Sequence, residues 1–283
     1  MVIIGYDIQH MNNLVNRVQG RIRRHTHILR STPHFIILGG MKCGSTALYQ
    51  YLIQHPDIVG ASVKEVHFFD NRFDRGLSWY RKHFPLKASL GSRLTGEASP
   101  SYIFHPAVAE RIKLVLPDVK LIVLLRNPVD RAYSHYHHTL RKGYEKLSFK
   151  DAIESEPERL NGERERILAD ASYRSPTFAA FSYVTRGIYW EQLERYYQHF
   201  DRSQILVLKS EDLFYDPQSV TNRVSAFLGL ESFRLKDPTP KNKASYVRKI
   251  TATHEQLYAF YRPHNEKLYQ LIGETYDWDD QYA

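Results

Sequence analysis

Residues 39–46 read Gly-Gly-Met-Lys-Cys-Gly-Ser-Thr, a glycine-rich turn carrying one lysine and two hydroxyls. The apolar run Phe35-Ile36-Ile37-Leu38 precedes it and a helical pattern from Ala47 follows, which predicts a strand, a turn and a helix N-terminus. Such a turn gathers backbone N–H groups around one point, and the helix dipole adds partial positive charge, so it suits a phosphate or sulfate. The spacing, Gly39, four residues, then Gly44, is nearly that of a nucleotide P-loop. A P-loop has its lysine after the second glycine, where this chain has Ser45; the lysine here is Lys42, inside the turn. That displacement points to a phosphate-bearing donor other than an ordinary nucleoside triphosphate.

A second anion site follows the run Val119–Leu125, where the chain reads Arg126-Asn127-Pro128-Val129-Asp130-Arg131-Ala132-Tyr133-Ser134. A triphosphatase strand at this place ends in an acidic residue that organises magnesium. An arginine there can instead fork onto a phosphate, with Ser134 two turns into the Pro-initiated helix. Two separate anion loops suit a nucleotide with two anionic groups. The histidines His135, His137 and His138 share this helix, but no carboxylate or second cysteine completes a ligand set, so no metal is expected.

The elements that must position these residues alternate. Strands are expected at 34–38, 57–61, 92–98, 119–125 and 204–208. Helices are expected at 45–55, 76–84, 105–116, 128–142, 148–171, 187–200, 217–228 and 253–272, the last opening on a capping box of Thr253 and Gln256. The near-continuous apolar character of 119–125 is that of a parallel strand covered on both faces. The fold class is therefore α/β, a P-loop-like, doubly wound parallel sheet with flanking helices in a single domain, binding ligands at the strands' carboxyl ends.

That domain spans 32–283, after a basic arm at 1–31 holding Arg17, Arg21, Arg23, Arg24 and Arg30, for which peripheral membrane contact is one reading and a solvated helix another. The stretch 231–247 reads as a long basic loop. A formal net charge of +8 favours anionic partners, and 42% hydrophobic residues are ordinary for a globular protein. The lone cysteine, Cys43, allows no intrachain disulfide, and no apolar run is long enough to span a membrane. A soluble cytoplasmic protein is the simplest expectation from these features.

The sequence FIILGGMKCGSTALYQYL resembles the 5′-phosphosulfate loop of the sulfotransferases that use 3′-phosphoadenosine-5′-phosphosulfate, PAPS. LIVLLRNPVDRAYSHYHH resembles their 3′-phosphate motif, and KEVHFFDNRFDRGLSWYRKHFP, GEASPSY and LYAFYRPHNEKLYQLIG resemble the heparan sulfate N- and 3-O-sulfotransferase branch. The resemblance covers roughly 34–278 and implies a P-loop-like fold, PAPS as donor and PAP as product. It implies that Lys42, Cys43, Gly44, Ser45 and Thr46 hold the 5′-phosphosulfate and that Arg126 and Ser134 hold the 3′-phosphate. Tyr189 would lie near the nucleotide, and Lys241 or Lys243 would close over the donor. That loop departs from the family in lacking a disulfide and in reading Ala244-Ser245 after the lysine.

In the matched family Glu65 is the general base, and a histidine matching His138 stabilises the transition state. His67 is either a further catalytic residue or packs beside Phe68 and Phe69. No magnesium requirement is implied. The resemblance favours a carbohydrate acceptor, sulfated on a hydroxyl or an amine. A P-loop kinase would need the missing Walker lysine and an acidic end to 119–125. A non-catalytic nucleic-acid-binding protein would not explain two anion loops, so no nucleic acid is expected. Acceptor identity and oligomeric state are not legible.

Overall fold

Four short apolar runs and the mixed run Leu94-Thr-Gly-Glu-Ala98 become the five strands of one sheet. The computed structural model describes residues 26–238 and 251–278. Strands β1 (Phe35–Gly39), β2 (Ile58–Gly60), β3 (Leu94–Ala98), β4 (Lys120–Leu125) and β5 (Ile205–Lys209) form one sheet in the order β2-β3-β1-β4-β5. All four pairings are parallel, with Phe35 opposite both Gly96 and Lys120, and Leu121 opposite Ile205. Every residue of β1 is buried, and its side chains alternate between two cores. Ile36 and Leu38 join Leu121, Val123, Phe68, Tyr80, Tyr102 and Leu193 on one face. Phe35 and Ile37 join Ile122, Leu124, Leu48, Leu52 and Val224 on the other.

The expected doubly wound sheet is present, and its order places the switch point between β1 and β4, whose carboxyl-end loops lead away in opposite directions. Both anion loops leave the sheet there. The expected helix 148–171 is instead three, Phe149–Glu154, Glu156–Leu160 and Glu163–Ala169. Pro157 cannot donate to the preceding turn, and Gly162 takes a left-handed φ of 73°, so the chain turns at both places. The last helix, Ala252–Ile272, begins one residue earlier than expected, and its capping box is Thr251 with His254 rather than Thr253 with Gln256. Thr253 is already inside the helix, where its amide faces the first turn.

The arm up to residue 25, and Lys241 and Lys243 of the basic loop, lie outside the described residues. At the arm's end, Arg30 is buried and donates to the Phe84 carbonyl at 2.6 Å. Among the described residues no helix is long and apolar enough to cross a membrane.

Candidate active site

The turn after β1 is shaped by glycines that no other residue replaces. Gly39 has φ 111°, and a Cβ there would sit 2.3 Å from the Pro100 carbonyl oxygen. Gly44, at φ 91°, is the N-cap of the Ser45–Leu52 helix, and no side chain caps that helix. Its first-turn amides, at buried Ser45 and half-buried Thr46, have no intrahelical carbonyl to meet and face the turn. The turn is tied down from behind. The Gly40 amide donates to the Leu124 carbonyl at 2.6 Å, and Ser210 Oγ donates to the Cys43 carbonyl at 2.7 Å. Cys43 plays a different part from Lys42, Ser45 and Thr46. Its amide donates to the Gly40 carbonyl at 3.2 Å and its thiol is fully buried, which pushes the thiol pKa up. It gives the loop its shape.

The second loop starts its helix by local chemistry. Asn127 Oδ1 accepts from the Val129 and Asp130 amides at 3.0 and 3.3 Å, and Pro128 occupies the first turn of the Pro128–Arg141 helix. Arg126 stands just before, with Nη1 3.4 Å from the Lys42 carbonyl oxygen and its guanidinium 5.9 Å over the Phe214 ring. The two anion loops, 84 residues apart in sequence, therefore touch. Ser134 is buried about two turns into that helix. Tyr189 is buried, and its hydroxyl donates to the Arg126 carbonyl at 2.9 Å, so it forms the wall behind the loops rather than an exposed surface.

Charge in this corner is unbalanced. Burial lowers the Lys42 pKa, and the cations of Arg141, Arg126 and Lys142 lower it further. Among the described residues neither Lys42 nor Arg126 has a carboxylate in ion-pair contact. Crowded cations around uncapped helix amides make a place that an anion stabilises.

Glu65 and His67 face this corner from the turn after β2. Both have left-handed backbones, φ 62° and 53°, and with Lys42 they are the three non-glycine residues at positive φ among the described residues. Such strain costs about 1–3 kcal/mol each and persists only where surroundings impose it. Glu65 Oε1 pairs with Lys64, and its Oε2 lies 3.6 Å from His67 Nε2. These contacts, His67 foremost, hold the Glu65 carboxyl down at about 2 against its partial burial. His67 Nδ1 meets Asp70 Oδ2 at 2.8 Å, and Ser101 Oγ donates to the same oxygen at 2.5 Å. Burial alone would lower the His67 pKa, but Asp70 and Glu65 raise it to about 9, so the ring is an imidazolium. Asp70 was not foreseen from the sequence, although its i,i+3 spacing from His67 was a usable signal.

His138 lies between the two halves of the site. Burial and the cations of Lys42, Lys142 and Arg141 bring it down to about 4, against the pull of the Glu65 carboxylate. It is neutral at physiological pH, able to donate or accept a hydrogen bond but not to supply charge. Its neighbour His135 is fully buried with neither ring nitrogen partnered, and no cluster of metal-ligating side chains occurs among the described residues.

This arrangement has known counterparts. A family model described as a sulfotransferase domain matches residues 32–254. The chain is 35% identical over 274 residues to heparan sulfate glucosamine 3-O-sulfotransferase 6 of Mus musculus, covering 88% of this chain and 75% of that protein. It is 29% identical over 271 residues to the bifunctional heparan sulfate N-deacetylase/N-sulfotransferase 4 of the same organism, covering 85% of this chain and 30% of that one. A solved sulfotransferase from Alicyclobacillus acidocaldarius has 31% identity and a TM-score of 0.68, over 88% of this chain and 99% of that one. Since the matched span contains both anion loops and the carboxylate turn between them, the chain belongs to the sulfotransferase family.

Proposed function

We propose that this enzyme transfers the sulfuryl group of PAPS to a hydroxyl or amine of a glucosamine residue in a heparan-sulfate-like polysaccharide. The observation that carries the reading is the contact between the two cation-bearing loops at the carboxyl ends of β1 and β4, Arg126 Nη1 to the Lys42 carbonyl at 3.4 Å. One ligand that carries anions at both ends of a nucleotide satisfies both loops. The names of the relatives favour the glucosamine acceptor.

In this reading the amides of Ser45 and Thr46 with Lys42 hold the 5′-phosphosulfate, and Arg126 and Ser134 hold the 3′-phosphate. PAPS supplies the sulfuryl group to be transferred. Lys42 offsets charge that gathers on the bridging oxygen as the S–O bond breaks. Glu65 Oε2 accepts the acceptor's proton as the new O–S or N–S bond forms, and PAP leaves with the bridging oxygen. A carboxylate held at about 2 is a weak base at rest, so the proton moves late, once bonding to sulfur has acidified the acceptor. His67, as imidazolium, orients Glu65, and neutral His138 donates a hydrogen bond toward the transferring oxygens.

Incubation with radiolabelled PAPS and N-sulfated or de-N-sulfated heparan sulfate tests this. Label should appear in the polysaccharide with equimolar PAP. Tight PAP binding without label in any glycan would remove the carbohydrate acceptor, and absence of PAP binding would remove the donor assignment.

A further inference from the structure

One buried carboxyl takes no part in this chemistry. Glu97, on β3, is fully buried. Its Oε1 accepts from the Tyr80 hydroxyl at 2.6 Å and the Tyr102 hydroxyl at 3.2 Å, and its Oε2 accepts from Ser99 Oγ at 2.8 Å. Two of those hydroxyls are acceptors in turn. Ser99 Oγ receives the His67 amide at 3.3 Å, and the Tyr102 hydroxyl receives the Phe68 and Phe69 amides at 2.8 and 3.3 Å. Hydrogen bonds thus run from amide to hydroxyl to carboxylate along two arms, and polarised chains of this kind strengthen each link. They hold the amide of His67, which ends the strained Glu65–His67 turn, and the two amides that follow it. The Glu65 amide is held as well, by the carbonyl of Ala98, next to Glu97 on the same strand, at 3.1 Å. No side chain caps the four-residue helix that His67 begins, so these arms are what fixes its start.

We propose that Glu97 is a positioning residue for sulfuryl transfer, anchoring through Ser99 and Tyr102 the left-handed turn that aims Glu65 and His67 at the acceptor. The proposal rests on Glu65 being the base. It gives Glu97 a role through geometry, with no contact to donor or acceptor.

Both arms need the ionised carboxylate, because every hydroxyl hydrogen points at it. A proton on either oxygen would displace one of the donors. Burial raises the Glu97 carboxyl to about 7, against the bonds from Tyr80, Ser99 and Tyr102, and the Asp70 carboxylate adds to the rise. The other titratable groups facing it are Tyr49, Tyr80 and Tyr102, all pushed above the ordinary tyrosine value by burial and so neutral. Glu65 sits at about 2, His138 at about 4 and His67 at about 9. A rise of kcat with pH through about 7 therefore belongs to Glu97 among these groups.

The test uses Glu97→Gln and Tyr102→Phe in the full chain, the second keeping the buried carboxyl should the first fail to fold. PAP affinity is measured by calorimetry and kcat across neutral pH with PAPS and a heparan sulfate oligosaccharide. Amide hydrogen exchange is read in the peptide spanning 65–70. Both variants should bind PAP as the wild type does, exchange faster in that peptide, and lose kcat roughly 10- to 100-fold through misplacement of the base. The limb near neutrality should vanish in Glu97→Gln and persist at lower kcat in Tyr102→Phe. Parallel loss of PAP affinity, turnover and melting temperature would mark Glu97 as a core residue only and overturn the proposal. So would lost turnover with wild-type exchange at 65–70. Faster exchange with unchanged turnover would keep the anchor but overturn its part in sulfuryl transfer, and turnover of Glu65→Gln tells separately whether the base assignment has failed.

Discussion

Arg126→Ala separates the two anion loops. The guanidinium's contacts with the protein are weak, a 3.4 Å approach to the Lys42 carbonyl and a 5.9 Å position over Phe214. The Tyr189 hydroxyl bonds the Arg126 backbone carbonyl, which the substitution keeps. Folding should therefore lose less than about 1 kcal/mol, the range of a partly exposed contact. Binding is another matter. Losing a charge-assisted hydrogen bond to a phosphate costs about 1.5–3 kcal/mol, which is roughly 10- to 150-fold in Kd. That loss should appear for PAP and not for adenosine 5′-phosphosulfate, which has no 3′-phosphate. Arg126 also adds to the positive potential at Lys42, so the second ligand should bind nearly as before or slightly more weakly, well short of the loss for PAP. Isothermal calorimetry with both ligands, beside a melting curve of each protein, gives the comparison. Equal losses for the two would refute the division of labour between the loops and make Arg126 a structural residue.

Glu65→Gln should leave PAP binding intact and lower turnover by ~10²–10⁴-fold, with a smaller loss for an amine acceptor, which can react unprotonated. Near-wild-type turnover in a folded Gln variant would remove Glu65 as base. Lys42→Ala should lower both donor affinity and kcat, because one cation serves the ground state and the leaving oxygen; a change in kcat alone would confine Lys42 to the transition state, and a change in neither would place it away from the bound donor. Gly39→Ala meets the Pro100 carbonyl at 2.3 Å with φ 111° and should prevent folding or abolish PAP binding. The control is Gly143→Ala, at φ 72° with nothing within 4 Å of the new Cβ, which should cost only about 1–2 kcal/mol in a denaturant titration.

Local physics makes much of this protein legible in its sequence. The strand, turn and helix around 39–46 are written by four buried apolar residues, glycines where φ must be positive, and a helix start within ten residues. All five strands lie within a residue or two of expectation, four of them as short apolar runs bounded by polar or turn residues, while Leu94–Ala98, with Thr95 and Glu97, carries a weaker apolar signal. The helices of 148–171 were run together because apolar periodicity continues through Pro157 and Gly162, and the breakers were outweighed. The four-residue helices Phe68–Asn71 and Lys87–Leu90 and the six-residue helices Pro176–Phe181 and Ser210–Tyr215 are not legible in the sequence. Helices so short have too few internal bonds to carry a sequence signal, and packing stabilises them instead.

Residue types and their spacing carry the chemistry of each fragment: a displaced lysine in a glycine turn, an arginine where a magnesium-holding acid would stand, a carboxylate beside a histidine. Which fragments meet, and in what protonation state, follows from the way the chain folds back on itself. Arg126 reaches Lys42 across 84 residues because β1 and β4 are neighbours in the sheet. Ser101 reaches Asp70 across 31, and Glu97 reaches the His67 amide only through Ser99. The same distinction holds for charge. His67 and His138 start from one ordinary value, and the carboxylates around the first and the cations around the second drive them to about 9 and about 4. Residue type sets what a side chain can do, and burial and neighbours brought from distant parts of the chain set what it does.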